Sequence, residues 1–171
     1  VRLYEKGLIY RGNRMINWCP DCGTSLSDAE VEHEDQNGKY YYFRYPAKDG
    51  GEGIIVATSR PETMFGDVAI AVSPGDQRYK DMVGKEVIIP VIGTAIPVIE
   101  DPYPDPEKGT GAVKITPAHD PNDYEVGERH GLEQLCCIND DATMNSLAGK
   151  YDGLDRYECR KQWVKELEEK G

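Results

Sequence analysis

Ala112-Val113-Lys114-Ile115-Thr116-Pro117-Ala118-His119-Asp120-Pro121-Asn122-Asp123-Tyr124 is the stretch on which the fold turns. Residues 112–116 alternate small or apolar with polar side chains, the period of a strand with one covered face. Pro117 has no N–H to give a ladder and ends the strand. Asp120 is a good helix N-cap, and Pro121 suits the first helical position. Asp123 falls at the third, where a carboxylate meets free backbone N–H groups and the positive end of the helix dipole. The plain reading of Asp120 and Asp123 is therefore a helix cap. The functional reading is that the same surroundings keep Asp123 ionised, so that it holds a substrate ammonium.

Around this junction the composition sets limits. The chain has 171 residues, 39% of them hydrophobic, which suits one compact domain with a core of its own. No apolar run approaches the roughly 20 residues of a membrane span, and residues 1–10 do not read as a secretory signal. The first residue is Val1 rather than Met, so a domain cut from a longer protein is expected. A net charge of -11 disfavours broad contact with a polynucleotide and leaves room only for contact with an end of one.

The five cysteines are Cys19, Cys22, Cys136, Cys137 and Cys159, an odd number that does not suggest a disulfide framework. Cys19-Pro20-Asp21-Cys22 has the spacing of half a zinc knuckle. A tetrahedral site needs four ligands and no second such pair exists, so Cys19 and Cys22 are either half of a structural site completed outside this chain or two free thiols. Cys136 and Cys137 are adjacent in an extended stretch and face opposite sides, so at most one joins a common cluster.

Elsewhere the pattern is of short strands: 14–18, 29–34, 39–45, 53–58, 67–72, 86–90, 94–100 and 135–138. Gln36-Asn37-Gly38 is expected to join 29–34 and 39–45 as a hairpin. Helices are expected over 1–10, 77–83, 120–130 and 155–170, the last burying a stripe of Tyr157, Val164 and Leu167. Many short strands with few helices argue for a mainly β fold with peripheral α, a closed β-barrel.

Three runs carry a family resemblance. Thr58-Ser59-Arg60-Pro61-Glu62-Thr63-Met64-Phe65-Gly66-Asp67, the segment 109–127, and Asn145-Ser146-Leu147-Ala148-Gly149-Lys150-Tyr151-Asp152-Gly153-Leu154-Asp155-Arg156 resemble the editing domain inserted into valyl-tRNA synthetases. The lead-in Asn17-Trp18-Cys19-Pro20-Asp21-Cys22-Gly23-Thr24 resembles the same family, so the likeness covers essentially the whole chain. Isoleucyl and leucyl relatives share this domain type, and the run 114–123 favours the valyl branch. Ser59 stands where the family usually has Thr and keeps the hydroxyl. The resemblance implies a single editing domain over 1–171, with 1–35 and 155–171 as connections towards the synthetase body, working in the cytoplasm.

The implied activity is hydrolysis of the ester that joins wrongly attached threonine to valine tRNA, with no cofactor for editing. A pocket built for valine rejects isosteric threonine only about a hundredfold, a figure established for this family itself. The implied partners are the 3′ end of valine tRNA carrying threonine and the remainder of the synthetase; no membrane is involved. Among matching positions, Asp123 is the expected acceptor for the α-ammonium, with Asp120 as a second carboxylate. Arg60 and Lys114 are expected to hold the terminal adenosine or its phosphate, or to stabilise the oxyanion. Thr63 and Thr116 are expected to read the threonine hydroxyl, with Thr58, Ser59 and His119 completing the site. Attack would come from an oriented water.

Each residue has a plainer role: Lys114 as a solvated charge, Arg60 as a bridge to Glu62 or Glu86, His119 as a hydrogen-bonded structural histidine, and the threonines as partners for backbone groups. Two rival functions are a metal-dependent phosphohydrolase built on His119-Asp120 and a non-catalytic module that binds a tRNA end.

Overall fold

A computed structural model of the chain describes residues 1–35 and 37–170. A short helix α1 (Arg2–Glu5) opens it. The strands β1 (Asn17–Cys19) and β2 (Thr24–Leu26) then form a small antiparallel ribbon. Strands β3 (Tyr41–Tyr45) and β4 (Ile54–Thr58) form a second antiparallel pair. A third sheet is built from β5 (Ala69–Val72), β6 (Glu86–Ile88), β7 (Ala95–Glu100) and β8 (Ala112–Ile115), in the order β6-β7-β5-β8. In it β5 runs parallel to β7 and antiparallel to β8. Two longer helices follow, α2 (Pro121–His130) and α3 (Arg156–Lys170).

The expected closed barrel is not what forms. The strands lie in three separate sheets of two, two and four strands, and the architecture is a mixed α/β one. β4 packs alongside β8 of the four-stranded sheet, but the backbone hydrogen bonds that join the β3–β4 hairpin to that sheet lie near its turn, where Lys48 N–H donates to Glu86 O at 3.0 Å and Ile88 N–H to Pro46 O at 2.8 Å. Strands of three to six residues, one carrying Pro97, give short ladders, whereas a barrel needs pairing carried all the way round with a consistent shear.

Other expectations shift as well. Residues 28–30 form a 3₁₀ turn under a Ser27–Glu30 capping box, so 29–34 is no strand and β3 pairs with β4. The expected Gln36-Asn37-Gly38 hairpin includes Gln36, which lies outside the described residues. The turn that does make the hairpin is 46–53. A Cβ on Gly53 would stand 2.3 Å from Tyr45 O, so only glycine lets the chain fold back there. Residues 77–83 form successive turns, not a helix.

One large core lies between the sheets and α3. Its largest buried side chains include Trp163, Tyr45, Ile54, Met64 and Ile70. Helix α3 enters it through Cys159, Trp163 and Leu167; Tyr157, expected in the buried stripe, is exposed. Trp163 packs on Phe65 with ring centroids 4.7 Å apart and edge-on to Tyr151 at 5.9 Å. Residues 156–170 are thus part of the core as well as the chain's last segment. A smaller core of Ala69, Ala71, Ile115 and Val126 seats α2 on the other face of the large sheet. Among the described residues no helix is long and apolar enough to cross a membrane.

Candidate functional site

Two junctions meet at the site. The first is the 3₁₀ segment Pro61–Gly66 between β4 and β5, begun by a proline whose fixed φ suits its first position. The second is the turn from β8 into α2. The register Ile70↔Lys114 of the antiparallel β5–β8 pair brings residues just before β5 beside residues on β8.

That register assembles a buried polar network around Asp67. Its Oδ1 accepts from Lys114 Nζ at 2.9 Å and from Thr116 Oγ1 at 2.7 Å, and its Oδ2 accepts from Tyr45 Oη at 2.7 Å. Lys114 Nζ also donates to Thr63 Oγ1 at 2.8 Å and Thr116 Oγ1 at 2.5 Å. All five side chains are buried. A buried ion pair survives only when its desolvation is offset by good geometry and further hydrogen bonds, and this one has both. Burial, with Asp67 alongside, raises the Tyr45 hydroxyl well above its usual range and keeps it a donor.

The network redefines the lysine. The three protons of its ammonium all have partners, so Lys114 is neither the solvated charge nor a free cation facing a phosphate. The Thr63 hydroxyl donates to Arg60 O at 3.0 Å and that of Thr116 to Asp67, leaving both oxygens as acceptors only.

Asp120 caps α2: its Oδ1 accepts from Asn122 N–H at 2.8 Å and from Asp123 N–H at 3.3 Å. Asp123, one turn inside, does not cap the helix. Its Oδ2 accepts from Thr116 N–H at 2.9 Å, tying α2 back to the end of β8. Burial pushes its carboxyl up to about 6, against the lowering effect of the Thr116 amide and the Lys114 charge. Ionisation of Asp123 near neutrality is thus less secure than the helix start alone implies.

His119 Nε2 accepts from Cys137 N–H at 2.9 Å, which places the proton of the neutral ring on Nδ1. Burial, with the charges of Arg60 and Lys114, lowers its pKa to about 4, so the ring is neutral at pH 7 and its basic nitrogen is occupied. Arg60 Nη1 donates to His119 O at 2.7 Å, and its Nε lies 3.7 Å from Glu62. Glu62, fully buried, is held instead by Arg160 of α3 through two bonds of 2.6 Å. Thr58 Oγ1 accepts from Arg60 N–H at 3.1 Å.

A cavity of about 150 Å³ lies between the two junctions, and Asp123, Lys114, Asp120, Arg60, Thr58, Ser59, Thr63, Thr116 and His119 all line it. Tyr40 and Tyr103 line it too. The nine positions singled out in the sequence are therefore brought together, while Cys19 and Cys22 are not among its lining residues. Reasoning from sequence missed Asp67, Tyr45, Glu62 and Arg160. Asp67 closes the run 58–67, but what makes it central is the pairing of β5 with β8, which no local pattern announces.

Cys19 and Cys22 sit at the β1–β2 turn, with Cys22 N–H 3.4 Å from Cys19 Sγ. That amide holds the Cys19 thiol below its usual range. Among the described residues no group of three or more His, Cys, Asp or Glu is placed to bind a metal, so the pair offers two ligands of the four a zinc site needs. Among the described residues the same finding gives His119-Asp120 no third donor.

The family model described as tRNA synthetases class I (I, L, M and V) matches residues 1–169, and the chain belongs to that family. Within it, the chain is similar over all its length to valine–tRNA ligases: 60% identical to that of Lactobacillus acidophilus, 58% to that of Thermotoga maritima and 56% to that of Clostridium tetani. It spans about one fifth of their length, 20%, 20% and 19% respectively.

Two solved structures share the fold. One is the LeuRS of Agrobacterium radiobacter K84 in a ternary complex with tRNA and LeuAMS, with TM-score 0.63 and 22% identity over 75% of this chain and 18% of that one. The other is GlLeuRS-CP1, with TM-score 0.50 and 15% identity over 68% of this chain and 80% of that one.

Proposed function

We propose that this chain is the editing domain of a valine–tRNA ligase and that it hydrolyses the ester of threonine wrongly joined to valine tRNA. The observation that carries the reading is the cavity between the 3₁₀ segment and the β8–α2 turn, small, polar and walled by the nine residues above. Cavities of about 150 Å³ take a molecule the size of benzene. A threonyl group of about seven heavy atoms fills such a space, and its ribose then stays at the mouth.

Asp123 accepts the α-ammonium, which also favours its ionised form. The remaining lone pairs on Thr63 and Thr116 accept the threonine hydroxyl proton. Valine offers a methyl there and forgoes that hydrogen bond, worth about 0.5–1.5 kcal/mol net. Lys114 acts by fixing both threonines and by its charge, since touching the substrate would cost it one of its three bonds. The free N–H groups of Arg60 meet the phosphate of the terminal adenosine. His119, neutral and donating through Nδ1, steadies the oxyanion formed when water attacks the ester carbonyl. The proton given up by the attacking water passes to the departing ribose oxygen, which completes hydrolysis without a covalent enzyme intermediate.

The test is deacylation by the full-length enzyme carrying this chain. Threonyl-tRNA should be cleaved and valyl-tRNA spared, and Asp123→Ala should abolish cleavage; equal cleavage of both esters would overturn the reading. Cys19 and Cys22 are proposed as half of a structural zinc site completed by the rest of the enzyme. Replacing both by Ser should lower bound zinc by one ion per chain, measured by atomic absorption, and unchanged zinc content would refute this.

A further inference from the structure

Asp67 holds the ammonium of Lys114 but is not among the residues that line the cavity, so any part it plays in the reaction passes through its neighbours. Its backbone is fixed on both sides. Its own N–H donates to Met64 O at 3.2 Å and closes the 3₁₀ segment, and the N–H of Val68 donates to Ile115 O at 3.0 Å and opens the pairing of β5 with β8. From that point its carboxylate decides which way the hydroxyl protons turn. Thr116 Oγ1 has the Lys114 ammonium at 2.5 Å and Asp67 Oδ1 at 2.7 Å. An ammonium only donates and a carboxylate only accepts, so the Thr116 proton is turned onto Asp67 and a lone pair onto Lys114. Thr63 Oγ1 meets the same ammonium at 2.8 Å and sends its proton to Arg60 O at 3.0 Å. Tyr45 Oη holds the other carboxylate oxygen of Asp67 at 2.7 Å. Thr116 is also anchored through its backbone, its N–H donating to Asp123 Oδ2 at 2.9 Å.

Resting on the editing reading, we propose that Asp67 is the positioning residue that sets the side-chain specificity of the reaction, by locking the hydroxyls of Thr63 and Thr116 as acceptors before substrate arrives. A buried ion pair adds little net stability over apolar side chains of the same volume. What this one supplies is direction. A free hydroxyl rotates to suit whatever lies beside it, so it would turn away from a valine methyl and find another partner. A locked hydroxyl cannot turn, and it meets the threonine hydroxyl with no rotor left to order. The feature that matters is therefore the acceptor at Asp67 Oδ1 rather than the charge alone. Asp67→Asn keeps an acceptor for Lys114 and Thr116 and presents its N–H to Tyr45 Oη, which can accept. Asp67→Leu removes the acceptor, and the Thr116 proton is released.

The experiment compares deacylation of threonyl-tRNA and valyl-tRNA by the full-length enzyme and these variants. In Asp67→Leu the ratio of kcat/KM for the two esters should fall from severalfold or about tenfold to near one, because the one hydrogen bond that only threonine makes is no longer preorganised. Asp67→Asn should keep most of the ratio even where both rates drop. A residue that merely supported the fold would slow both esters by the same factor. Equal slowing in Asp67→Leu, or the same loss of ratio in Asp67→Asn, would overturn the proposal. Where Asp67→Leu does not fold, Asp67→Leu with Lys114→Met removes both charges together and carries the same prediction. Binding of the non-hydrolysable amides, 3′-threonylamino-adenosine and its valyl counterpart, gives a readout independent of turnover. Calorimetry should show a preference for the threonyl amide that Asp67→Leu loses and Asp67→Asn keeps, and a preference that Asp67→Leu retains would refute the role. If the unsubstituted enzyme cleaves neither ester yet shows this pattern of binding, the editing reading fails and the role of Asp67 stands.

Discussion

Asp123 is the residue on which the proposed reaction and stability pull in opposite directions. Its carboxyl is buried and accepts one hydrogen bond from the chain, so its pKa rises from 3.8 to about 6. A raised carboxyl pKa means that folding stability is fully present below the unfolded value and is lost as pH rises through about 6. Asp123→Asn keeps an acceptor for Thr116 N–H and removes the charge. At pH 7 it should stabilise the chain by up to about 3 kcal/mol, at about 1.4 kcal/mol per tenfold change in proton affinity, and the gain should vanish near pH 4. Denaturant unfolding at the two pH values checks this, and no difference between them would show that Asp123 is not strained by burial. Deacylation by the unsubstituted enzyme should fall as pH drops through about 6. His119, lowered to about 4, should add no transition between pH 5 and 8.

The elements were legible where local chemistry decides and hidden where partners do. Helix α2 follows from Asp120 as cap, Pro121 at its start and Gly131 at φ 62 after its end, all of them local signals. The partner of β3 is not local: 39–45 reads as a strand, but nothing within it selects β4 over the preceding segment. The stripe of α3 was misread because Trp163 and Cys159, not Tyr157, face the core, and the fully buried Glu62 draws Arg160 to the 3₁₀ segment. Packing at these elements is tight. A Cβ on Gly127 of α2 would stand 2.9 Å from the Pro117 ring at the end of β8. Gly127→Ala should therefore cost about 1–3 kcal/mol through overpacking, offset by up to about 1 kcal/mol of helix propensity. By shifting α2 off β8 it should also slow deacylation. Trp163→Ala should cost about 3–5 kcal/mol. Trp163→Phe should cost much less, because the buried Trp163 Nε1 has no hydrogen-bond partner to lose. Unfolding midpoints of the three variants test both claims, and a neutral Trp163→Ala would show that α3 is not anchored as described.

At the scale of the whole molecule, three small sheets and the two longer helices leave a polar cavity at the meeting of two chain junctions. The family and nine of the residues around that cavity were readable from three motif runs, because each run is long and carries its polar groups close together; Tyr40 and Tyr103 lie outside those runs. The closed barrel expected from strand count was not, since closure depends on edges pairing across the molecule and the strands here are too short to carry it. The charge distribution sets a further expectation. With a net charge of -11, this domain is expected to meet few phosphates. The KM for a short threonyl-oligonucleotide matching the tRNA 3′ end should thus change little between 50 and 200 mM salt; a fall of several orders of magnitude in affinity would indicate many phosphate contacts. The central claim is that a small cavity beside the start of α2 separates threonine from valine by their one differing group. Its most direct measurement is the ratio of kcat/KM for deacylation of threonyl-tRNA and valyl-tRNA by the full-length enzyme, with and without Asp123→Ala. A ratio of severalfold to about tenfold, from the one hydrogen bond that only threonine makes, with activity lost in the variant, is the predicted result; a ratio near one, or full activity in Asp123→Ala, would contradict it.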